Sequence, residues 1–210
     1  MDCDLLLSGV SAKTFVQQPP LQILTEETIS IAIPDISSIG DDSVASASES
    51  PYTEETITIP SSHKEIKEKS AEILQGVSSR LEAVQKLNAF VFDYLEKTPV
   101  IGVPNGLQAL RSKKGDCNEH TALFVSLARA AKIPTRIAAG LVYSERIGKS
   151  FYYHAWPEVL IQDTWLAVDP TFGQVPADAT HIKVVEGDLD QQVAIMGLLG
   201  NISLTLIEAE

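Results

Sequence analysis

The chain has 210 residues, 44% of them apolar and 21% charged, with a formal net charge of -12. That length suits one domain of about 150 residues with an appendage, and the acidic balance points away from nucleic acid or an anionic membrane surface as partner. No run of about 18 apolar residues offers a membrane span, and Leu5-Leu6-Leu7, flanked by Asp2 and Asp4, is too short and wrongly charged for a signal peptide.

Residues 1–60 read as a small β appendage. Thr28–Ile33 and Glu55–Ile59 alternate apolar and polar residues and each stops at a proline, which predicts two half-buried strands. Between them, Ser37–Ser43 and Ala45–Ser50 are rich in Ser, Asp and Gly and predict a mobile loop. Residues 61–210 have the pattern of a mixed core domain. A capping box at Ser62–Glu65 starts a helix running to Gln75-Gly76. A second box at Ser79–Glu82 starts another, with Leu81, Val84, Leu87, Val91 and Leu95 as its apolar stripe and an end near Lys97. Residues 98–114, with Gly102, Pro104 and Gly106, predict a long loop lining a cleft, with one helical turn at Leu107–Arg111.

Gly115-Asp116-Cys117 opens the stretch on which the rest is organised. Leu123, Phe124, Leu127, Ala128 and Ala130-Ala131 recur at spacings of three and four, the pattern of a helix buried on most of its surface, and Ile133-Pro134 stops it. Strands follow at Thr135–Tyr143, at Phe151–Ile161 with a break at Pro157, and at Thr164–Asp169, the last two joined by a tight turn at Gln162-Asp163. His181–Val185 and Ile202–Ile207 are closing strands around a short helix at Asp190–Leu199. One buried helix followed by a three-strand meander predicts an α+β fold, an antiparallel sheet packed on the cysteine-bearing helix.

Only Cys3 and Cys117 are cysteines, so there is no disulfide framework and no Cys-x-x-Cys knuckle. Cys117 falls in the first helical turn, where unpaired N–H groups and the helix dipole favour a thiolate. The dipole alone lowers a thiol pKa by about one unit, so a reactive Cys117 needs a second perturber. His154 is the candidate. Paired around Gln162-Asp163, the last two strands of the meander bring His154 and Asp169 near each other, and the aspartate would orient the imidazole and stabilise its protonated form. Cys117, His154 and Asp169 then compose nucleophile, base and orienter, with N–H groups at the helix start receiving an oxyanion. His120, one turn after Cys117, joins Asn118 and Trp156 as candidates for the cleft. Taken singly, each has a plainer reading: Cys117 as a small buried apolar side chain, His154 as a core histidine, Asp169 as a strand-end cap, Trp156 as core. Cys117, His120, His154 and Asp169 also form a rival zinc set, but a Cys-x-x-His without a second close pair is a weak signal. No metal and no cofactor is expected.

The blocks Gly115-Asp116-Cys117, Leu123 to Arg136, His154-Ala155-Trp156-Pro157-Glu158 and Trp165 to Thr171 resemble those of the bacterial transglutaminase-like superfamily, over about residues 80–185. The resemblance implies a papain-like core and thiol acyl transfer on a peptide or protein substrate, with Cys117 as nucleophile, His154 as base and Asp169 as orienter. On this reading the protein is a cysteine protease or amidase whose acyl-enzyme is resolved by water, because little chain remains to build a dry tunnel for an amine. The alternatives are a protein-glutamine cross-linking transglutaminase and a non-catalytic interaction module on the same fold. A place in the cell envelope or periplasm follows if the chain is a piece of a longer precursor.

Overall fold

The computed structural model describes residues 3–40, 42–44, 50–145, 148–196 and 201–209, so residues 45–49 of the predicted mobile loop lie outside the described residues. In chain order the elements are β1 (Cys3–Ser8), β2 (Gln22–Leu24), β3 (Thr28–Ile31), α1 (Lys64–Ile73), α2 (Arg80–Tyr94), β4 (Glu96–Lys97), α3 (Gly106–Ser112), β5 (Lys114–Gly115), α4 (Cys117–Ala130), β6 (Thr135–Ser144), β7 (Ser150–Ile161), β8 (Thr164–Ala167), β9 (His181–Glu186), α5 (Leu189–Met196) and β10 (Ser203–Ala209). The fold is α+β, with the cysteine-bearing α4 packed on an antiparallel sheet of order β8-β7-β6-β9 and a separate N-terminal β region. Two compact units share the chain: residues 1–34, 138–154 and 177–210 form one, residues 35–137 and 155–176 the other. Among the described residues no helix is long and apolar enough to cross a membrane.

The first unit holds a four-stranded antiparallel sheet of order β10-β1-β3-β2. Its core face follows the two-residue period of a strand: Leu5, Leu7, Ile29 and Ile31 are buried, while Leu6 between the two leucines is exposed. The sequence predicts β3 and β10 but not β1 or β2. In β1 the continuous Leu5-Leu6-Leu7 run hides the alternation, and its partner β10 lies at the far end of the chain. In the same unit β6 pairs with β9, and at Gly140 the strands approach so closely that a Cβ would sit 2.0 Å from the Ile182 carbonyl oxygen. Gln22, 4% exposed, joins this region through its side-chain amide: Nε2 donates to Lys183 O (2.7 Å) and Oε1 accepts from Lys183 N (2.8 Å).

The second unit is built on α4, whose residues Glu119 to Arg129 are all buried. α1, α2 and α3 pack on it, contributing Ile66, Val84, Leu87, Val91 and Leu110 to a core with Leu123, Phe124 and Leu127. Burying one such side chain contributes about 1.5–3 kcal/mol, so this apolar core is what holds the helix and its N-terminus in place. The pairing of β7 with β8, Glu158↔Ala167 to Ile161↔Thr164, closes around Gln162 as the sequence predicts. Three local expectations are corrected. The cap of α1 is the His63 imidazole, which accepts from Glu65 N (3.3 Å), while Ser62 instead bonds Glu55. Residues 55–59 are not a strand: Thr56 and Ile59 bond each other in both directions, closing a tight turn with Ile57 91% exposed. β7 is unbroken at Pro157, because the proline lacks only the N–H, and its carbonyl still accepts from Val168 N (3.0 Å).

Candidate functional site

Asp116 caps α4 in a reciprocal box. Its carboxylate accepts from Asn118 N (2.9 Å), and Glu119 Oε2 accepts from Asp116 N (3.0 Å). Cys117 is the first helical residue, as the sequence predicts, and is partly buried. Its charge state is the reverse of the expectation. Burial pushes the thiol up to about 12, and the carboxylates of Asp116, Asp169 and Glu119 add to the shift, against a hydrogen bond with the Ala155 backbone. The helix dipole contributes at most about 2 kcal/mol in favour of an anion, which is less than burial among carboxylates takes away. These surroundings favour the thiol over the thiolate.

His120 lies one turn on and is fully buried. Its Nδ1 lies 2.6 Å from Asp116 O and donates to it, and Nε2 has no hydrogen-bond partner. Burial moves the imidazole pKa down, so it stays neutral. Asn118 is partly buried at the helix start, and Trp156 is 1% exposed, inside the protein. Asp169 follows the end of β8. Its Oδ1 accepts from Thr171 N (2.6 Å) and Phe172 N (3.0 Å), and its backbone bonds Gln174 in both directions at 2.9 Å. It therefore sits in a closed turn, beyond the last β7–β8 pair, Glu158↔Ala167.

In the other unit the rings of His154 and His181 lie 5.6 Å apart at 60°. His181 Nδ1 is 3.1 Å from Asp178 O and 3.2 Å from Asp178 Oδ1. Burial works to raise the Asp178 carboxyl, but hydrogen bonds from His181 and Thr180 win and hold it far below the usual carboxylate range.

The side chains that come together are His154, Asp169 and His181, all buried, each with a ligand-type atom within 4.8 Å of the others; Cys117 is not among them. This overturns the expected Cys117-His154-Asp169 triad, and with it the thiol-enzyme, cysteine protease or amidase reading drawn from the family resemblance. The physical reason lies in the surroundings of the thiol: burial and the carboxylates of Asp116, Asp169 and Glu119 all push its pKa up. The rival zinc set of Cys117, His120, His154 and Asp169 is likewise replaced by the His-Asp-His grouping. His181 is the member that the sequence leaves unmarked, since it reads only as the first residue of a strand; the Asp178-x-x-His181 spacing is the one local signal.

The raised thiol pKa fixes a pH dependence. A folded-state value near 12, above the ordinary value near 9, means that the folded chain holds the proton more tightly. The stability this contributes is complete below about pH 9 and is lost as pH rises toward 12, at up to about 1.4 kcal/mol per unit. Thermal unfolding from pH 8 to 10.5 should show a steeper alkaline decline for the native sequence than for Cys117→Ala. Parallel declines would contradict it.

The transglutaminase-like superfamily core matches residues 67–170. The kyphoscoliosis peptidase of Mus musculus is 27% identical over 124 residues, covering 54% of this chain and 19% of that protein. The chain thus spans about a fifth of that relative's length. The crystal structure of a candidate cysteine protease from Cytophaga hutchinsonii has a TM-score of 0.65 at 13% identity, covering 100% of this chain and 89% of that one. The periplasmic domain of TgpA from Pseudomonas aeruginosa has a TM-score of 0.44 at 21% identity, covering 60% of this chain and 49% of that one. Residues 67–170 therefore carry the transglutaminase-like match, on a fold that the whole chain shares with the Cytophaga protein.

Proposed function

We propose that this protein is a non-catalytic interaction module, a polypeptide-binding domain on a transglutaminase-like fold. The observation that carries the reading is the placement of Cys117: it lies outside the His154-Asp169-His181 grouping, with carboxylates for neighbours, where burial pushes its thiol up to about 12. A thiol with a pKa near 12 is about one part in 10⁵ thiolate at pH 7. Nucleophilic acyl transfer needs the thiolate. A polypeptide as ligand is supported by the mouse relative, which is named a peptidase.

The test is alkylation with iodoacetamide in a Cys3→Ser background, followed by mass spectrometry of the Cys117 peptide from pH 6 to 11. The folded protein should react only above about pH 10, while the urea-unfolded chain reacts as an ordinary thiol does, near pH 9. Fast alkylation at pH 6 that disappears in His154→Ala would reinstate a thiolate–imidazolium pair and defeat the reading. So would turnover of a glutamine peptide, by ammonia release or amine incorporation, that is lost in Cys117→Ala.

A further inference from the structure

In the second unit the loop between β4 and α3 presents Val100, Ile101 and Val103 at 43%, 103% and 65% exposure. Single exposed aliphatic residues are ordinary, but three within four positions are a patch. A fourth is brought to them. Asn105, which caps α3 through Leu107 N and Gln108 N, also donates from its amide to Ile57 O (2.7 Å), and Gly106 N donates to Thr58 O (3.0 Å). These bonds hold the turn carrying the exposed Ile57 against the end of the loop.

The knuckle is fixed at both ends. At its base β4 and β5 pair in parallel, with Glu96 N donating to Lys113 O (2.9 Å) and Thr98 N to Gly115 O (3.1 Å). At its far end Asn105 locks the start of α3. A loop anchored in this way gives up little conformational freedom when a partner covers it.

The charge around the knuckle reverses that of the chain. Residues 96–114 carry four basic side chains and one acidic one, within a protein of net charge -12; Arg111 pairs with Glu65 and Lys114 with Glu96, so Lys97 and Lys113 supply the positive charge beside the loop. The lysines are placed by neighbours: Lys97 Nζ lies 4.0 Å from the Phe92 ring centroid and Lys113 Nζ 5.2 Å from that of Tyr94. An apolar centre with a cationic rim fits a segment that offers aliphatic side chains with carboxylates beside them. An anionic bilayer fits less well, because the remaining surface of the chain is strongly acidic and would be repelled.

We propose that residues 98–104 together with Ile57 form the docking surface for an acidic, aliphatic polypeptide segment. This rests on the reading of the protein as an interaction module and names where its partner binds. The probe is a fluorescein-labelled peptide in which leucines alternate with glutamates, compared with leucine/lysine and serine/glutamate peptides and with phosphatidylcholine–phosphatidylserine vesicles. The leucine/glutamate peptide should bind saturably, the two control peptides at least about tenfold more weakly, and the vesicles not at all. Ile101→Asp should weaken binding at least about tenfold. Ile101 is fully exposed, so the variant keeps its fold, which circular dichroism checks. Lys97→Gln with Lys113→Gln should flatten the salt dependence. Equal affinity of the native sequence and Ile101→Asp, equal binding of the control peptides, no binding of the leucine/glutamate peptide, or preferential vesicle binding would each overturn the proposal. The two readings fail separately: a Cys117 that alkylates at pH 6 defeats the inert thiol and leaves the docking surface standing, while indifference to Ile101→Asp does the reverse.

Discussion

Asp42→Ala is expected to lower stability by about 3 kcal/mol, the low end of the range for removing one partner of a buried ion pair, because Arg80 is buried while Asp42 is 22% exposed. Arg80, 4% exposed, is the first residue of α2, where the helix dipole disfavours a cation. Its guanidinium donates from Nη1 to Asp42 Oδ2 (3.1 Å) and to Leu160 O (3.1 Å). Asp42 also accepts from Gln162 N at the β7–β8 turn (2.5 Å), so one carboxylate serves the start of a helix and the tip of a hairpin. Without it, a buried cation stays where two N–H-bearing segments meet. Urea unfolding should show a lower midpoint with little change in slope. The double variant Asp42→Ala/Arg80→Met should be more stable than Asp42→Ala alone, because the stranded charge is gone. A loss below about 1 kcal/mol in the single variant would show that solvent already supports Arg80.

Gly106→Val should be as damaging, at about 3 kcal/mol. The residue has ordinary helical geometry, so the constraint is space alone. A Cβ there would lie 2.1 Å from Ser126 Oγ and 2.7 Å from Ala122 O, on the buried face of α4. Ser126 Oγ is already committed to Ala122 O (2.6 Å), and a helix carbonyl cannot step aside. α3 must lift from α4, which loosens the Asn105 cap and the knuckle in front of it. Thermal unfolding and peptide anisotropy should fall together. Gly106→Ala paired with Ser126→Gly should recover part of both, whereas a fully stable Gly106→Val would mean that α3 is free to shift.

How far the molecule was legible before its structure depended on the range of the interactions. Period and punctuation suffice for α4: an Asp-Cys step, then apolar residues at three and four, predict the helix of Cys117–Ala130 almost to the residue. The same local logic finds the cap at Ser79, whose hydroxyl accepts from Glu82 N (3.0 Å), and the turn at Gln162. It fails where partners are distant. Cys3–Ser8 becomes a strand because β10 pairs with it, and residues 55–59 alternate like a strand yet fold as a turn tethered by Asn105. The site failed for a different reason. Sequence spacing brought His154 and Asp169 into one neighbourhood, and they do meet, but His181 completes the group. The thiol was misjudged because a helix start is visible in sequence while the dielectric around it is not. Asp116, Asp169 and Glu119 set the charge of Cys117, and only folding shows that all three act on it.

The two bonds between the Gln22 amide and the Lys183 backbone also shield an exposed strand. β9 is an edge strand, and an open edge invites another chain to add itself and start an aggregate. At Lys183 that invitation is withdrawn, because one side-chain amide occupies both the N–H and the C=O of the residue, as a neighbouring strand would. A third bond, from Gln22 Nε2 to Val16 O (2.8 Å), locks the amide in that orientation. Gln22 is thus a molecular stopper for the sheet, a strand of length one built from a side chain.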